Sequence, residues 1–240
     1  MLKVRGITKR FGGLRVLEGI DMDVSAGEFV GLIGPNGAGK TTLFNVLTGM
    51  LPLNSGDVTF LGRNITNWPG NRVFLAGIAR TFQVVRPFYS LSCRDNVLVA
   101  YKAKFGNAGA DEAAMEALEF LGLGKKADKP ASELNLAEKR KLELARAMVA
   151  KPKLLMLDEV MAGLNASELD DMIDHIRRLK QSLALTVIAV EHIMHVIMSL
   201  SDRILVLNQG KLIADGTPKQ IAANEEVIRA YLGEDSNAAS

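Results

Sequence analysis

An apolar run, Phe29 to Ile33, leads directly into Gly34-Pro35-Asn36-Gly37-Ala38-Gly39-Lys40-Thr41. A helical pattern follows from Thr41 to Leu47, so the glycine-rich stretch lies between a predicted strand and a predicted helix. Its spacing matches the phosphate-binding P-loop, whose glycines let successive backbone N–H groups turn toward phosphate oxygens. The sequence therefore predicts an α/β protein that binds a nucleotide.

The residues of this loop have separate expected roles. Lys40 is expected to reach the β- and γ-phosphates, and Thr41 to offer its hydroxyl to Mg²⁺. The start of the helix adds a partial positive charge that favours an anion. An accidental glycine-rich turn is the alternative, and the strand and helix on either side disfavour it. The predicted ATP-binding residues are Gly34, Pro35, Asn36, Gly37, Ala38, Gly39, Lys40, Thr41 and Thr42.

A second apolar run, Leu154 to Leu157, ends in the acidic pair Asp158 and Glu159. Asp158, at the end of the predicted strand, is a candidate to hold Mg²⁺ through water. Glu159 is a candidate general base for the attacking water. Many strands end in acidic loops, so this pair is a weak signal by itself. Together with the P-loop it predicts nucleotide hydrolysis.

Short apolar runs alternate with helical patterns along much of the chain, which is typical of an α/β fold with a mainly parallel sheet. The runs are Phe29–Ile33, Leu154–Leu157, Thr186–Val190 and Ile204–Leu207. The helical patterns are Asp111–Leu121, Ala137–Val149 and Ser167–Gln181.

Two other regions have a different texture. Leu2 to Val24 and Gly56 to Asn64 alternate more loosely between glycine-rich turns, which predicts antiparallel strands. Val84 to Ala150 contains no convincing buried strand and is predicted to be mostly helical.

We expect one nucleotide-binding domain over residues 1–240, with no long linker. Its expected parts are a β subdomain with the P-loop core (about 1–83), a helical subdomain (about 84–150), the rest of the core (about 151–233) and a frayed polar tail (234–240).

Bulk properties restrict the function classes. The net charge of +2 is too close to neutral to predict binding to nucleic acid or to anionic lipid. The single cysteine, Cys93, has no internal partner for a disulfide, which suits a reducing compartment. The N-terminus lacks the apolar stretch of a secretory signal, and the longest apolar runs, such as Leu183 to Val190, are too short to cross a bilayer. These features predict a cytoplasmic protein that reaches a membrane only through a partner.

From Phe11 to about Gly233 the chain resembles the nucleotide-binding subunits of ATP-binding-cassette (ABC) transporters. Gln83 lies where that family has its Q-loop glutamine, which senses Mg²⁺ and the attacking water. His192 matches the switch histidine that contacts the γ-phosphate. The resemblance thus implies Glu159, His192, Gln83 and Lys40 as catalytic residues, and Thr41, Gln83 and Asp158 as Mg²⁺ ligands.

Some of these assignments have ordinary alternatives. Phe11 matches the aromatic residue that stacks on adenine, but a core phenylalanine is an equal alternative. Taken singly, His192 would more often be a surface or capping histidine. His175 and His195 keep that ordinary interpretation.

The family signature, usually Leu-Ser-Gly-Gly-Gln, corresponds here to Leu134-Asn135-Leu136-Ala137-Glu138. In the family this segment caps the γ-phosphate of ATP held by the opposite subunit. Asn135 can still donate a hydrogen bond and cap a helix. Glu138 would repel polyphosphate if it pointed inward, but it would complement the helix dipole if it faced away. We expect a weakened but working signature, with Asn135 contacting the ATP of the opposite subunit.

Three further segments are similar to the LivG-type ATPase subunit of branched-chain amino-acid importers. They are Gly77–Gln83, Val190–His192 and Val227–Gly233. Urea-type importers use a closely similar subunit, so the solute stays open. The resemblance implies a second ABC ATPase subunit, two transmembrane permease chains and, indirectly, an extracytoplasmic solute-binding protein. It places the chain at the cytoplasmic face of the cell membrane.

Three other hypotheses compete with a transport ATPase. The chain is either the hydrolytic subunit of such a transporter or a nucleotide-binding regulatory half with weak turnover at one site, because its own P-loop is intact but its signature is altered. A soluble cassette of DNA repair or translation lacks support, since the chain has neither a long coiled coil nor tandem cassettes. A GTPase is disfavoured because no Asn-Lys-x-Asp motif occurs.

Overall fold

The computed structural model describes residues 1–183 and 185–235. The chain divides into two compact units, which are described separately. The first unit consists of Met1–Phe74 and the residues from Thr186 onward, and the second unit is Leu75–Leu185. In the described part of the chain, no helix combines the length and the apolar character that a membrane span requires.

The described strands are β1 Leu2–Phe11, β2 Leu14–Val24, β3 Phe29–Ile33, β4 Ser55–Phe60, β5 Arg63–Asn64, β6 Ile78–Arg80, β7 Leu154–Asp158, β8 Thr186–Val190, β9 Arg203–Asn208 and β10 Lys211–Gly216. The helices are α1 Lys40–Leu47, α2 Gly70–Ala76, α3 Cys93–Phe105, α4 Ala110–Phe120, α5 Leu136–Met148, α6 Ala166–Leu183, α7 Met194–Leu200, α8 Pro218–Ala222 and α9 Glu225–Asp235. Two short 3₁₀ turns lie at Gly124–Lys126 and Ala131–Glu133.

The first unit contains two groups of paired strands. The antiparallel group has the order β2-β1-β4-β5. In the other group β3 pairs in parallel with both β8 and β9, and β10 closes the edge antiparallel to β9. All five residues of β3 and all five of β8 are buried. That burial explains why these two strands are continuous apolar runs, since a parallel strand covered on both faces has no polar side.

In the second unit β6 pairs with β7, in parallel, with Arg80 opposite Met156. Helices α3, α4 and α5 pack against one another, as their buried positions require. Val97, Leu118, Leu142 and Leu144 are completely buried. This unit carries both the acidic end of β7 and the start of α5.

The predicted α/β fold class is confirmed, and the bounds of β3 and β8 are those expected. Helix α1 begins at Lys40, one residue before the expected start. The sequence did not predict β6 or β10. The expected polar tail begins inside α9, which runs to Asp235, and its remaining residues, 236–240, lie outside the described residues.

Candidate nucleotide-binding and hydrolysis site

The P-loop connects the buried end of β3 to the first residue of α1. The ammonium of Lys40 donates to the carbonyl oxygens of Gly34, at 2.5 Å, and Pro35, at 2.8 Å. Lys40 is only 6% exposed, so its charge is held inside the curve of the loop. Gly39 has no side chain with which to cap α1, and the first N–H groups of the helix point along its axis toward the same loop. The arrangement suits an anion with several oxygens.

Two glycines show why the loop needs this residue type. A β-carbon on Gly34 would lie 1.9 Å from the carbonyl oxygen of Leu207, so the backbone of β9 excludes any side chain there. Gly37 has open space around it, but its φ of +75° is strained for other residues. The first glycine is thus required by packing and the second by conformation.

At the end of β7, the carboxylate of Asp158 is almost completely buried, with 1% exposure. Its Oδ2 accepts a hydrogen bond from Arg80 Nη2 at 2.8 Å, and its backbone N–H donates to Thr81 Oγ1 at 3.0 Å. Burial raises the pKa of Asp158, and the charge of Glu159 raises it further, while Arg80 opposes both effects.

The second carboxylate oxygen of Asp158, Oδ1, has no hydrogen-bond partner among the described residues although it is buried. A buried polar atom without a partner is unfavourable unless a ligand satisfies it. Hard cations such as Mg²⁺ take carboxylate oxygens, either directly or through water. The free lone pairs of Oδ1 therefore fit a magnesium site, although no cluster of three or more His, Cys, Asp or Glu side chains occurs in the described part of the chain.

Glu159 follows Asp158 and has a φ of +50°, which is uncommon for a residue with a side chain. Its side chain is buried, with 8% exposure, and Oε2 accepts a hydrogen bond from Gln83 Nε2 at 2.8 Å. A strained backbone at a held carboxylate is typical of functional positions. The structure therefore brings together Gln83 and Glu159, which the sequence placed 76 positions apart.

Helix α5 holds the backbone of the segment that carries Gln83. The guanidinium of Arg140 donates to the carbonyls of Phe82, at 3.1 Å, and Gln83, at 2.8 Å. Three residues further, Glu143 accepts from the backbone N–H of Arg86 at 3.3 Å. Because these two side chains lie on one face of the helix, α5 fixes the position of the Gln83 backbone.

The start of α5 is capped by the variant signature. Asn135 Oδ1 accepts from the Glu138 N–H at 2.9 Å, and Glu138 Oε2 accepts from the Asn135 N–H at 3.2 Å. This is a capping box, in which two helix-end donors are satisfied reciprocally. Of the two orientations considered for Glu138, the structure shows the carboxylate bound to its own helix cap.

The remaining predicted residues are placed as follows. Phe11 ends β1 and is 46% exposed, so the core alternative is wrong; Lys9 Nζ lies 5.0 Å from its ring centroid. His192 is exposed and follows β8 by two residues, and His195 is exposed on α7. His175 is buried on α6, where Asp171 faces it at 3.5 Å. Burial lowers the pKa of His175, which is a packed residue of the second unit rather than a surface one.

Lys40, Thr41 and His192 belong to the first unit, whereas Gln83, Asp158 and Asn135 belong to the second. Within the second unit, two residues to which the sequence assigned no role contact the predicted site residues: Arg80 contacts Asp158, and Arg140 contacts the backbone of Gln83. Arg80 reaches Asp158 because β6 pairs with β7, and a three-residue strand gives too little pattern to reveal that pairing. Arg140 is difficult to single out from the sequence, because α5 contains many charged residues and only the structure shows that this one is buried.

Comparison with known proteins identifies the family. The family model described as ABC transporter matches residues 17–162, which is more than half of the chain. The chain belongs to the ABC transporter ATPase family. A second family model, described as branched-chain amino acid ATP-binding cassette transporter, matches residues 211–237 of this ABC ATPase.

Individual relatives match this ABC ATPase over nearly its whole length. The high-affinity branched-chain amino acid transport ATP-binding protein BraF of Pseudomonas aeruginosa is 42% identical, with 98% of each chain covered. The corresponding LivG of Escherichia coli K12 is 40% identical, also with 98% of each chain covered. The crystal structure of the ATP-binding cassette MJ1267 in its ADP conformation superposes with a TM-score of 0.87 at 30% identity, covering 97% of this chain and 98% of that one.

Proposed function

We propose that this chain hydrolyses ATP to drive the import of branched-chain amino acids through a membrane permease. The observation that carries the solute class is the match of residues 211–237 to a family model specific to branched-chain amino acid cassettes. This segment lies outside the general ABC match, which ends at residue 162. The near-complete coverage of BraF and LivG supports the same proposal.

In this proposal the P-loop residues bind the phosphates of ATP, with Lys40 on the β- and γ-phosphates and Thr41 and Thr42 at the start of α1. Phe11 is exposed at the end of β1, where its ring is available to stack on the adenine. The P-loop belongs to the first unit, and the acidic pair Asp158 and Glu159 belongs to the second.

Glu159 is the proposed general base, and its hydrogen bond from Gln83 orients the carboxylate. His192 is proposed to contact the γ-phosphate. Thr41, Gln83 and Asp158 are the proposed ligands of Mg²⁺, for which the partnerless Oδ1 of Asp158 is the structural support. The ion would supply charge neutralisation on the phosphates. Catalysis then consists mainly of positioning and electrostatic stabilisation.

The proposal also includes partner proteins. A second ABC ATPase subunit, identical or related, would bind its ATP against Asn135 of this chain. Two permease subunits would hold the protein at the cytoplasmic face of the membrane, and a solute-binding protein would deliver the amino acid outside. Co-purification from detergent-solubilised membranes tests these partners, and finding no membrane protein would overturn the transport function.

The decisive experiment measures ATP turnover and leucine uptake by the assembled transporter, with Glu159→Gln as its inactive counterpart. We expect turnover and uptake with the natural chain and neither with the variant, which should still bind ATP. Uptake of urea instead of leucine would show that the proposed solute class is wrong, whereas the proposed ATPase function would stand.

One observation favours a second candidate, a mainly regulatory nucleotide-binding half. The signature departs from the family pattern at Asn135, Leu136, Ala137 and Glu138, which under the proposal would affect the site of the partner subunit. Absence of turnover alone and with partners, combined with retained ATP binding, would select this candidate.

A further inference from the structure

Glu138 brings a negative charge to the signature, at the position where the family has glutamine. Its carboxylate is part of the Asn135 capping box, and its other oxygen, Oε1, forms an ion pair with the ammonium of Lys126. Lys126 ends the 3₁₀ turn Gly124–Lys126, twelve residues earlier in the same unit. The side chains of Glu138 and Lys126 are 20% and 38% exposed, so the pair is partly shielded from water.

This environment keeps Glu138 ionised. Burial by itself would raise the pKa of the carboxyl group. The hydrogen bonds from Lys126 and from the Asn135 N–H, together with the charges of Lys126 and Lys141, outweigh burial and lower that pKa. A full negative charge therefore lies in the first turn of α5, and the ammonium of Lys126 contacts it.

The charge matters because of what the start of α5 does under the proposed function, on which this inference rests. There the signature meets the triphosphate of ATP bound to the partner subunit. An uncompensated carboxylate at that place would repel the triphosphate, and partial burial would strengthen the repulsion. The same carboxylate would not repel the triphosphate if a cation neutralised it and the N–H of Asn135 held it at the start of α5.

The geometry leaves a donor for the ligand. The capping box uses Asn135 Oδ1, and within the described part of the chain the amide nitrogen of this exposed side chain has no protein acceptor. An amide nitrogen is a suitable donor to a phosphate oxygen. Holding Glu138 against Lys126 therefore keeps Asn135 in the orientation that turns this donor outward.

We propose that Lys126 is a positioning residue for the signature: it neutralises Glu138 and holds its carboxylate in the Asn135 cap, so that the altered signature still accepts the triphosphate of the partner subunit. In this interpretation the lysine of the 3₁₀ turn compensates for the change from glutamine to glutamate.

A double-mutant cycle on the assembled transporter tests the proposal. Lys126→Met should raise the ATP concentration for half-maximal turnover roughly fivefold, the upper end of what a partly exposed charge pair contributes. Lys126→Arg should restore the natural value, because it keeps the cation. In a Glu138→Gln background, Lys126→Met should have no further effect, since no charge is left to neutralise. Lys125→Met, at the exposed neighbouring lysine, is the matched control and should change nothing.

Each other result overturns the proposal. An unchanged ATP requirement in Lys126→Met would show that neutralisation is not needed. A defect that persists in the Glu138→Gln background would show that Lys126 acts directly on the nucleotide or on the fold. A lower melting temperature without a change in ATP requirement would show a purely structural ion pair.

Experiments can distinguish failure of the proposed function from failure of this inference. If the natural transporter has no turnover, the hydrolytic function fails, and the same cycle is then measured as ATP-dependent association of Glu159→Gln subunits. In that assay Lys126→Met should again require roughly fivefold more ATP, and only with Glu138 present. Equal association of all variants, or association of none, overturns the inference.

Discussion

Gln83 Nε2 donates a 2.8 Å hydrogen bond to Oε2 of Glu159, and this bond joins the segment after β6 to the residue after β7. Glu159 is buried and has left-handed backbone geometry, whereas Gln83 is exposed. The carboxylate is thus held from its solvent side by a residue whose own backbone is fixed by Arg140. Such support restricts a candidate general base to one orientation.

Removing this support should affect the chemical step more than binding. In Gln83→Ala the carboxylate of Glu159 loses the hydrogen bond from Gln83 Nε2, and we expect kcat to fall about tenfold through loss of orientation. The KM for ATP should change little, and the stability by less than about 0.5 kcal/mol, because the side chain is exposed. Steady-state kinetics of the assembled transporter measure the first two quantities and urea denaturation the third. Gln181→Ala, at an exposed glutamine of α6, is the control; an unchanged kcat in Gln83→Ala would contradict the orientation argument.

The two glycines of the P-loop should respond differently to the same substitution. Gly34→Ala forces a β-carbon to 1.9 Å from the Leu207 carbonyl, and we expect a loss of about 3 kcal/mol or more because the β9 backbone must move. Gly37→Ala meets no neighbour within 4 Å and should lose only about 1 kcal/mol from its left-handed conformation. Urea denaturation of the two purified variants compares them directly. Equal losses would mean that the packing against Leu207 is not tight in solution.

Glu143 should make stability depend on pH near neutrality. Burial raises its pKa from 4.5 to about 7, although the Arg86 N–H and the charges of Arg140 and Arg146 oppose the shift. The folded state therefore holds this proton more tightly than the unfolded state. Its contribution is fully present below pH 4.5 and is lost as the pH rises through about 7.

Glu143→Gln removes the titration and keeps the side-chain volume. We expect the variant to gain about 1 to 3 kcal/mol relative to the natural protein between pH 5 and pH 7.5. Urea denaturation at several pH values gives the slope of the unfolding free energy against pH for the natural protein and for the variant. Glu116→Gln, at an exposed glutamate of α4, should keep the natural slope. If Glu143→Gln also keeps it, Glu143 stays ionised in the folded protein throughout this range.

The parts of this fold that the sequence predicted are those governed by local pattern. Strands β3 and β8 are fully buried, so their apolar runs have the same bounds as the strands. Strand β10 is only partly buried and β6 has three residues, and neither gives a periodic signal. The bounds of helix α5 agree with the expected Ala137–Val149 to within one residue at each end.

The candidate site also contains some features that local sequence pattern predicts and others that it does not. The P-loop, Asp158 and Glu159 follow from spacing and from position at strand ends. The contacts of Arg80 with Asp158 and of Lys126 with Glu138 do not, because each depends on how separate segments fold onto one another. The sequence left two orientations open for Glu138, and the capping box with Asn135 and the ion pair with Lys126 distinguish them.

The cap at the start of α5 allows its structural and functional roles to be separated. Asn135→Ala removes the acceptor for the Glu138 N–H and should lower stability by about 1 kcal/mol. Asn135→Ser, which restores the residue usual in the family, should keep the cap and the stability. Under the proposed function, Asn135→Ala should also raise the ATP concentration needed for half-maximal turnover, and Asn135→Ser should not, because a hydroxyl still donates to phosphate.

Thr217→Ala provides the matched control, because Thr217 caps α8 with a capping box of the same kind through Gln220. It should lose a similar amount of stability, about 1 kcal/mol, without changing the ATP requirement. Thermal denaturation and steady-state kinetics of the three variants separate the two effects. If Thr217→Ala raised the ATP requirement as much as Asn135→Ala, general loss of stability would explain both. A specific effect at Asn135 would place the donor of the altered signature on the nucleotide of the partner subunit.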